Sequence, residues 1–357
     1  MVFSVTGRMD LEETFKRSLY TSYGENKCIL LPKDEYIKTI GELLEATQIP
    51  KKSPRQFYLL KKYELLQCGD VQKLIRKKPN QEHPLYFATI EETFDIIKRA
   101  HIATGHGGRD KMIKEINKKY ANITQDAITL FKSMCIECQR KRKRTTTKRI
   151  AVKPILSKDF ISRAQVDLID MQSMCQDQHK WIMVYQDHLT KFCILRPLTS
   201  KRASKVAYQL LDIYLLLGAP SILQSNNGSE FTAQVITELK QMWPDLVIVH
   251  GKPKHPQSQG SVERANCDIK DMLIAWMSDN DTRDWTAGLK FVQFQKNSSH
   301  HTGIKRSPFV AMFGAEAKVG LTSSSLPKYV IGRLQTEDDL LSVVSHPNPV
   351  EQSNEEA

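Results

Sequence analysis

Nowhere does this chain run apolar for long enough to suggest a membrane span. Its most apolar helix-like stretch, Val206 to Leu217, is interrupted by Gln209 and Asp212, whereas a span needs about 20 consecutive apolar residues. The opening residues, Met1 to Asp10, carry neither a long apolar run nor the cleavage signature of a secretory leader. Cysteine is scarce and irregular: seven in 357 residues, an odd number at uneven spacing, which argues against a secreted disulfide framework. The four tryptophans, Trp181, Trp243, Trp276 and Trp285, read as core residues, and no aromatic stacking platform for single strands is apparent. Acidic residues are in deficit, 40 against 52 Lys and Arg, for a net charge of +12. These absences lead to the expectation of a soluble protein inside the cell with a polyanionic partner, most commonly nucleic acid. No membrane association and no small-molecule substrate are expected.

What is present divides the chain into five segments. Residues 1–95 read as a helical N-terminal extension. Ile37, Ile40, Leu43 and Leu44 recur at helical spacing, Pro54 opens a second helical stretch through Leu66, and a third begins near Thr89. Residues 96–139 carry a metal-site spacing, and 140–159 form a basic linker. From 160 to 318 strands and helices alternate. The strand candidates are Ala164–Ile169, Trp181–Tyr185, Phe192–Leu195, Ser221–Gln224 and Leu246–Val249. The helices span Ala203–Leu217, closed by Gly218 as a left-handed cap, and Thr232–Trp243, with further helices from about Ser261 and Asp284. This is an α/β pattern with a mixed sheet. Residues 319–357 are polar, rich in Ser and Pro, and expected to be disordered.

His101 and His106 are followed, after 28 residues, by Cys135-Ile136-Glu137-Cys138. Two thiolates on a C-x-x-C knuckle and two imidazoles from a preceding helical region can complete a tetrahedral Zn²⁺ site. With four protein ligands and no open position, the role expected of such a zinc is structural. It would supply stability that a core of some 45 residues cannot.

The motifs that follow have a familiar order. His-x4-His, Gly107-Gly108-Arg109-Asp110-Lys111 and Cys-x2-Cys-Gln139 come first, then Gln165-Val166-Asp167-Leu168-Ile169-Asp170 and Val184 to Phe192. After these come Ile222 to Phe231, His255 to Asn266 and Ser307 to Gly314. In that order they resemble the integrases of gypsy-like retroelements over about 101–315. The resemblance implies an H2C2 zinc domain before an RNase H-like catalytic core, an ancestral reaction of DNA 3′-processing and strand transfer, and a homo-oligomer as the working form. The expected fold is therefore α/β: an integrase core with a mixed five-stranded sheet, preceded by a small helical zinc-binding domain and the helical extension.

By that resemblance three carboxylates hold two divalent ions about 4 Å apart, one activating the nucleophile and one stabilising the leaving oxygen. Asp167 matches the first and Glu263 the last. The second position is Asn226, with 58 residues between it and Asp167 and 36 between it and Glu263. An amide oxygen can coordinate but brings no charge, and Mg²⁺ demands hard, charged oxygen ligands. Losing one metal, at about 4 kcal/mol of transition-state stabilisation, would slow the reaction roughly a thousandfold. None of Asp170, Asp187 and Glu230 is a convincing replacement, because Asp170 points to the opposite strand face and the other two suit capping roles. The expectation is a chain in which Mg²⁺ or Mn²⁺ binding is weak or lost and which does not cut DNA.

Two groups of residues are candidates for contacting nucleic acid. Arg140, Lys141, Arg142, Lys143 and Arg144 form a basic run that suits a phosphate-binding arm or a nuclear localisation signal, so the nucleus is the expected location. Lys252, Lys254, Arg264, Asn266 and Lys270 surround Glu263, and Glu263, Asn266 and Lys270 recur at helical spacing. A solvated helix face or a plain linker would look the same. Three readings follow: a nucleic-acid-binding protein that has lost catalysis, a residual metal-dependent polynucleotidyl transferase, and a protein-interaction scaffold without DNA binding.

Overall fold

The computed structural model describes residues 5–25, 29–68, 71–77, 83–142, 159–225, 239, 241–250, 256–321, 323–324 and 326–344. Its centre is a five-stranded mixed sheet. Strands β1 (Tyr63–Cys68) and β2 (Val71–Arg76) lie outside it; its own strands are β3 (Arg163–Asp170), β4 (Trp181–Asp187), β5 (Cys193–Leu198), β6 (Ile222–Ser225) and β7 (Val247–His250), in the order β5-β4-β3-β6-β7. The first three form an antiparallel meander, and β6 joins β3 in parallel with Val166 opposite Ser225. β3 is buried on both faces, as a central strand with helices on each side must be.

Period-two alternation along β3 directs its residues to two cores. Ala164 and Val166 meet Leu210, Ile213 and Tyr214 of the helix Ala203–Leu217, which covers one face. Ile169 meets Ile269, Leu273 and Trp285 on the other face, supplied by two long helices, Pro256–Asp279 and Trp285–Ser298. Asp284 caps the second of these by accepting from the Thr286 and Ala287 N–H groups. Trp285 is fully buried, as expected of a core residue, and the indole of Trp276 stacks on Phe291. No helix among the described residues is long and apolar enough to cross a membrane.

The helix Ala203–Leu217 ends where the sequence places it, but Gly218 sits at φ 95°, ψ 152°. That positive φ suits glycine without being the left-handed helical cap expected. The helix expected from Ser261 begins five residues earlier, at Pro256, and proline fits a first turn, where its missing N–H is not needed. The helix expected over Thr232–Trp243 lies largely outside the described residues.

The N-terminal extension departs further from expectation. Its helices Val5–Gly24, Lys33–Gln48 and Pro54–Lys62 are present, but the last stops at Lys62. Tyr63–Cys68 and Val71–Arg76 then pair as an antiparallel hairpin instead of continuing the helix to Leu66. Cys68 pairs with Val71, so a two-residue connection, Gly69-Asp70 in the sequence, joins the strands, a hairpin signal that outweighs the short apolar periodicity before it. Nor is the boundary expected at 95/96 a packing boundary. It falls inside the helix Ile90–Ala103, and Phe15 and Leu19 share one core with Ile97, Met112 and Ile128.

The tail expected to be disordered contains two short helices, Lys328–Ile331 and Glu337–Val344. Val330 is buried, and Lys119 Nζ donates to the carbonyls of Ser324 and Leu326. Thr336 and Asp339 cap the second helix reciprocally. Those contacts outweigh the polar composition. Residues 345–357 lie outside the described set.

Candidate active site and metal centre

Asp167 lies on β3, only 8% exposed. Its Oδ2 accepts from Nδ2 of Asn266 at 2.6 Å, and its Oδ1 accepts from the Leu168 backbone N–H at 2.9 Å. Asn266 stands on the helix Pro256–Asp279, one turn after Glu263, so helix and central strand meet at the first of the three matched positions. The second position follows directly on Ser225, the last residue of β6. Asn226 itself lies outside the described residues, as do Glu230, Lys252, Lys254, Lys143 and Arg144. Glu263 and Arg264 are placed only as positions on the helix backbone, and Arg142 only as the last residue of the helix Ile136–Arg142.

The alternative carboxylates have other partners. Asp187 is buried and accepts from both the backbone N–H and the hydroxyl of Thr190, each at 2.7 Å, as a turn cap does. Asp170 is exposed and accepts from the Gln172 N–H. Two residues expected on a nucleic-acid surface also have partners within the protein. Asn266 turns its amide inward to Asp167, because the helix face carrying it packs on the sheet. Arg140 pairs with Glu137 at 2.7 Å. Lys270 is exposed and Lys141 half-buried, so of the two Lys270 is the more open to a phosphate.

His101, His106, Cys135 and Cys138 converge on one point. Their ligand atoms lie within 4.8 Å of one another, so the four can hold a metal ion. Local rules explain the placement. Thr89 caps the helix Ile90–Ala103 with a capping box, which projects His101 from the last turn. Gly105 (φ 60°) and His106 (φ 54°) then both adopt left-handed backbone. This reverses the chain and brings His106 back over His101. Cys135 sits at the junction of the helices Gln125–Met134 and Ile136–Arg142, and Cys138 follows inside the second.

The distances fit a tetrahedral ion. Nε2 of His101 lies 3.3 Å from Cys135 Sγ and 3.5 Å from Cys138 Sγ, and Nδ1 of His106 lies 3.4 Å from Cys135 Sγ. Zinc bonds of about 2.3 Å to sulfur and 2.0–2.1 Å to nitrogen put neighbouring N and S ligands roughly 3.6 Å apart on a tetrahedron. The protonation pattern is that of a cluster competing for protons. The Cys135 thiol is held far below its ordinary value, first by its hydrogen bond with the Cys138 thiol and then, against burial, by the two imidazoles; Cys138 is pushed up first by that same hydrogen bond, then by burial and the charge on Cys135. Burial lowers His101. Burial opposes the charge on His106 as well, but the hydrogen bonds to Asp279 and Cys135 outweigh it and raise the imidazole to about 9.

Three residues of this centre were missed in the sequence. Nε2 of His106 stands 2.8 Å from Oδ2 of Asp279, 173 residues away. Glu137, buried inside the knuckle, accepts from Ser278 Oγ at 3.2 Å. No spacing signal links Ser278 and Asp279 to His106 or Glu137; only the docking of the module on the core helix brings them together.

No protein-family model matches the chain. It is 43% identical over 309 residues to human KRAB-A domain-containing protein 2, which covers 86% of this chain and 63% of that protein. It is 24% identical over 318 residues to human gypsy retrotransposon integrase-like protein 1, which covers 85% of this chain and 57% of that protein. The chain thus spans less than two thirds of the length of these relatives. Among solved structures, the catalytic core domain of BIV integrase is 25% identical, covering 43% of this chain and 94% of that one, with a TM-score of 0.36.

Proposed function

We propose that this chain, an integrase-derived protein, binds nucleic acid and does not perform strand transfer. The observation that carries this reading is the pairing of a retained Asp167, buried and hydrogen-bonded at the helix–sheet junction, with an amide where the second carboxylate belongs. Asp167 and Glu263 are the residues that would hold Mg²⁺ or Mn²⁺. Two carboxylates leave much of the charge of two such ions uncompensated, so binding at that site is weak. His101, His106, Cys135 and Cys138 would hold a structural zinc, which supplies folding energy and no open coordination position.

The net charge of +12 and the exposed Lys270 support a phosphate-contacting role. The run Arg140 to Arg144 also supports a nuclear location, which imaging of the tagged protein with and without that run would test. Fluorescence anisotropy with a labelled duplex tests the binding claim. The reading expects an affinity that falls linearly with salt on logarithmic axes, the mark of counterion release from phosphate contacts. No binding at low salt would instead leave a protein-interaction scaffold.

A further inference from the structure

The metal module does not stand apart from the core. Its His-x4-His loop and its Cys-x2-Cys knuckle both rest on the C-terminal half of the helix Pro256–Asp279. Asp279 accepts from His106, and Ser278 donates to Glu137 inside the knuckle. Nε2 of Gln295 donates to the carbonyl of Ile102 at 3.0 Å. Met272 presses against Gly105, where a Cβ would come within 2.3 Å of the methionine methyl. Each strand of the site is therefore braced from the core side.

The two nitrogens of His106 divide the work. Nδ1 faces the ligand cluster, and Nε2 faces the Asp279 carboxylate, which is 34% exposed at its side chain. A ligating imidazole needs its second N–H held by an acceptor, because that bond fixes the tautomer and ring plane and raises the basicity of the ligating nitrogen. In this chain the acceptor comes from the core, not from the module. From this geometry we infer that Asp279 is a positioning residue for the metal centre, and that metal affinity and docking of the module on the core are one coupled equilibrium. Binding the ion orients His106 for Asp279, and docking on Asp279 orients His106 for the ion. By linkage, each strengthens the other equally.

The inference rests on the zinc reading above, and the experiment separates the two. Zinc affinity is measured on the full chain by competition with a chromogenic chelator, for wild type, Asp279→Asn and Asp279→Ala. The first outcome expected is one zinc bound by wild type; if wild type binds none, the zinc reading fails and takes this inference with it. The second is an affinity reduced 10- to 100-fold in Asp279→Ala, with partial rescue in Asp279→Asn, whose amide oxygen still accepts the N–H. The third is faster amide exchange over Met272–Asp279 in wild type once zinc is removed. An Asp279→Ala affinity within twofold of wild type overturns the inference while leaving the zinc reading intact. So does unchanged exchange over Met272–Asp279. Asp279→Asn is nearly isosteric, so it keeps the test valid should the alanine variant fold poorly.

Discussion

Asn266 Nδ2 stands 2.6 Å from Asp167 Oδ2, joining the helix that carries Glu263 to the central strand of the sheet. The bond is charge-assisted and largely shielded from solvent, so it fixes the spacing of helix and strand at the retained half of the acidic site. The Asn266 side chain, read from the sequence as a phosphate contact, is thus also a tie within the fold.

Removing that tie has a cost. Asn266→Ala is expected to destabilise the protein by about 1.5–3 kcal/mol, the range for a hydrogen bond to a charged group. Asn266→Asp, which sets two carboxylates at hydrogen-bond distance, is expected to cost more. Urea denaturation monitored by tryptophan fluorescence reads both.

Charge at position 226 is expected to govern how well divalent ions are held. Asn226→Asp restores a third carboxylate and is expected to raise Mn²⁺ affinity at least tenfold, as followed by isothermal titration. An affinity equal to wild type would mean that position 226 does not face the ions.

The module around His101, His106, Cys135 and Cys138 is expected to need all four ligands together. Cys135→Ser is expected to lower the zinc content measured by elemental analysis and to destabilise the module, including the core that Phe15 and Leu19 share with Ile97 and Ile128. Zinc content equal to wild type would remove Cys135 from the ligand set.

Acid sensitivity has a defined window. His188 is lowered to about 4 by burial, then by Lys191 and Arg163. His301 is lowered to about 4 by burial, then by Lys191, Lys111 and Lys296. Between pH 6.5 and about 4 the unfolded chain takes up protons that the folded chain refuses, so stability falls as pH drops through that window. A variant carrying His188→Gln and His301→Gln is expected to lose less melting temperature than wild type over the same interval.

Much of the fold was legible because its signals are local. The buried runs of β3 and β4, the helix Ala203–Leu217 with its closing glycine, and the Thr89 capping box are all written in consecutive residues. The metal ligands were legible from chemistry at fixed spacing. The hairpin Tyr63–Arg76 was not, because Leu65 and Leu66 continue a helical periodicity that only strand pairing overrides. Asp279 and the inward turn of Asn266 were illegible for another reason: each is defined by a partner about a hundred residues away or more, which no local pattern announces. The short tail helices escaped notice because Ser and Pro dominate the composition around a few contacts that anchor them.

We propose that this integrase-like chain binds nucleic acid without cutting it. The most direct test incubates the protein with a labelled duplex end and a target plasmid in Mg²⁺ and in Mn²⁺. The expected result is no strand-transfer product above the background of Asp167→Ala. Product formed by wild type and abolished in both Asp167→Ala and Glu263→Ala would contradict it.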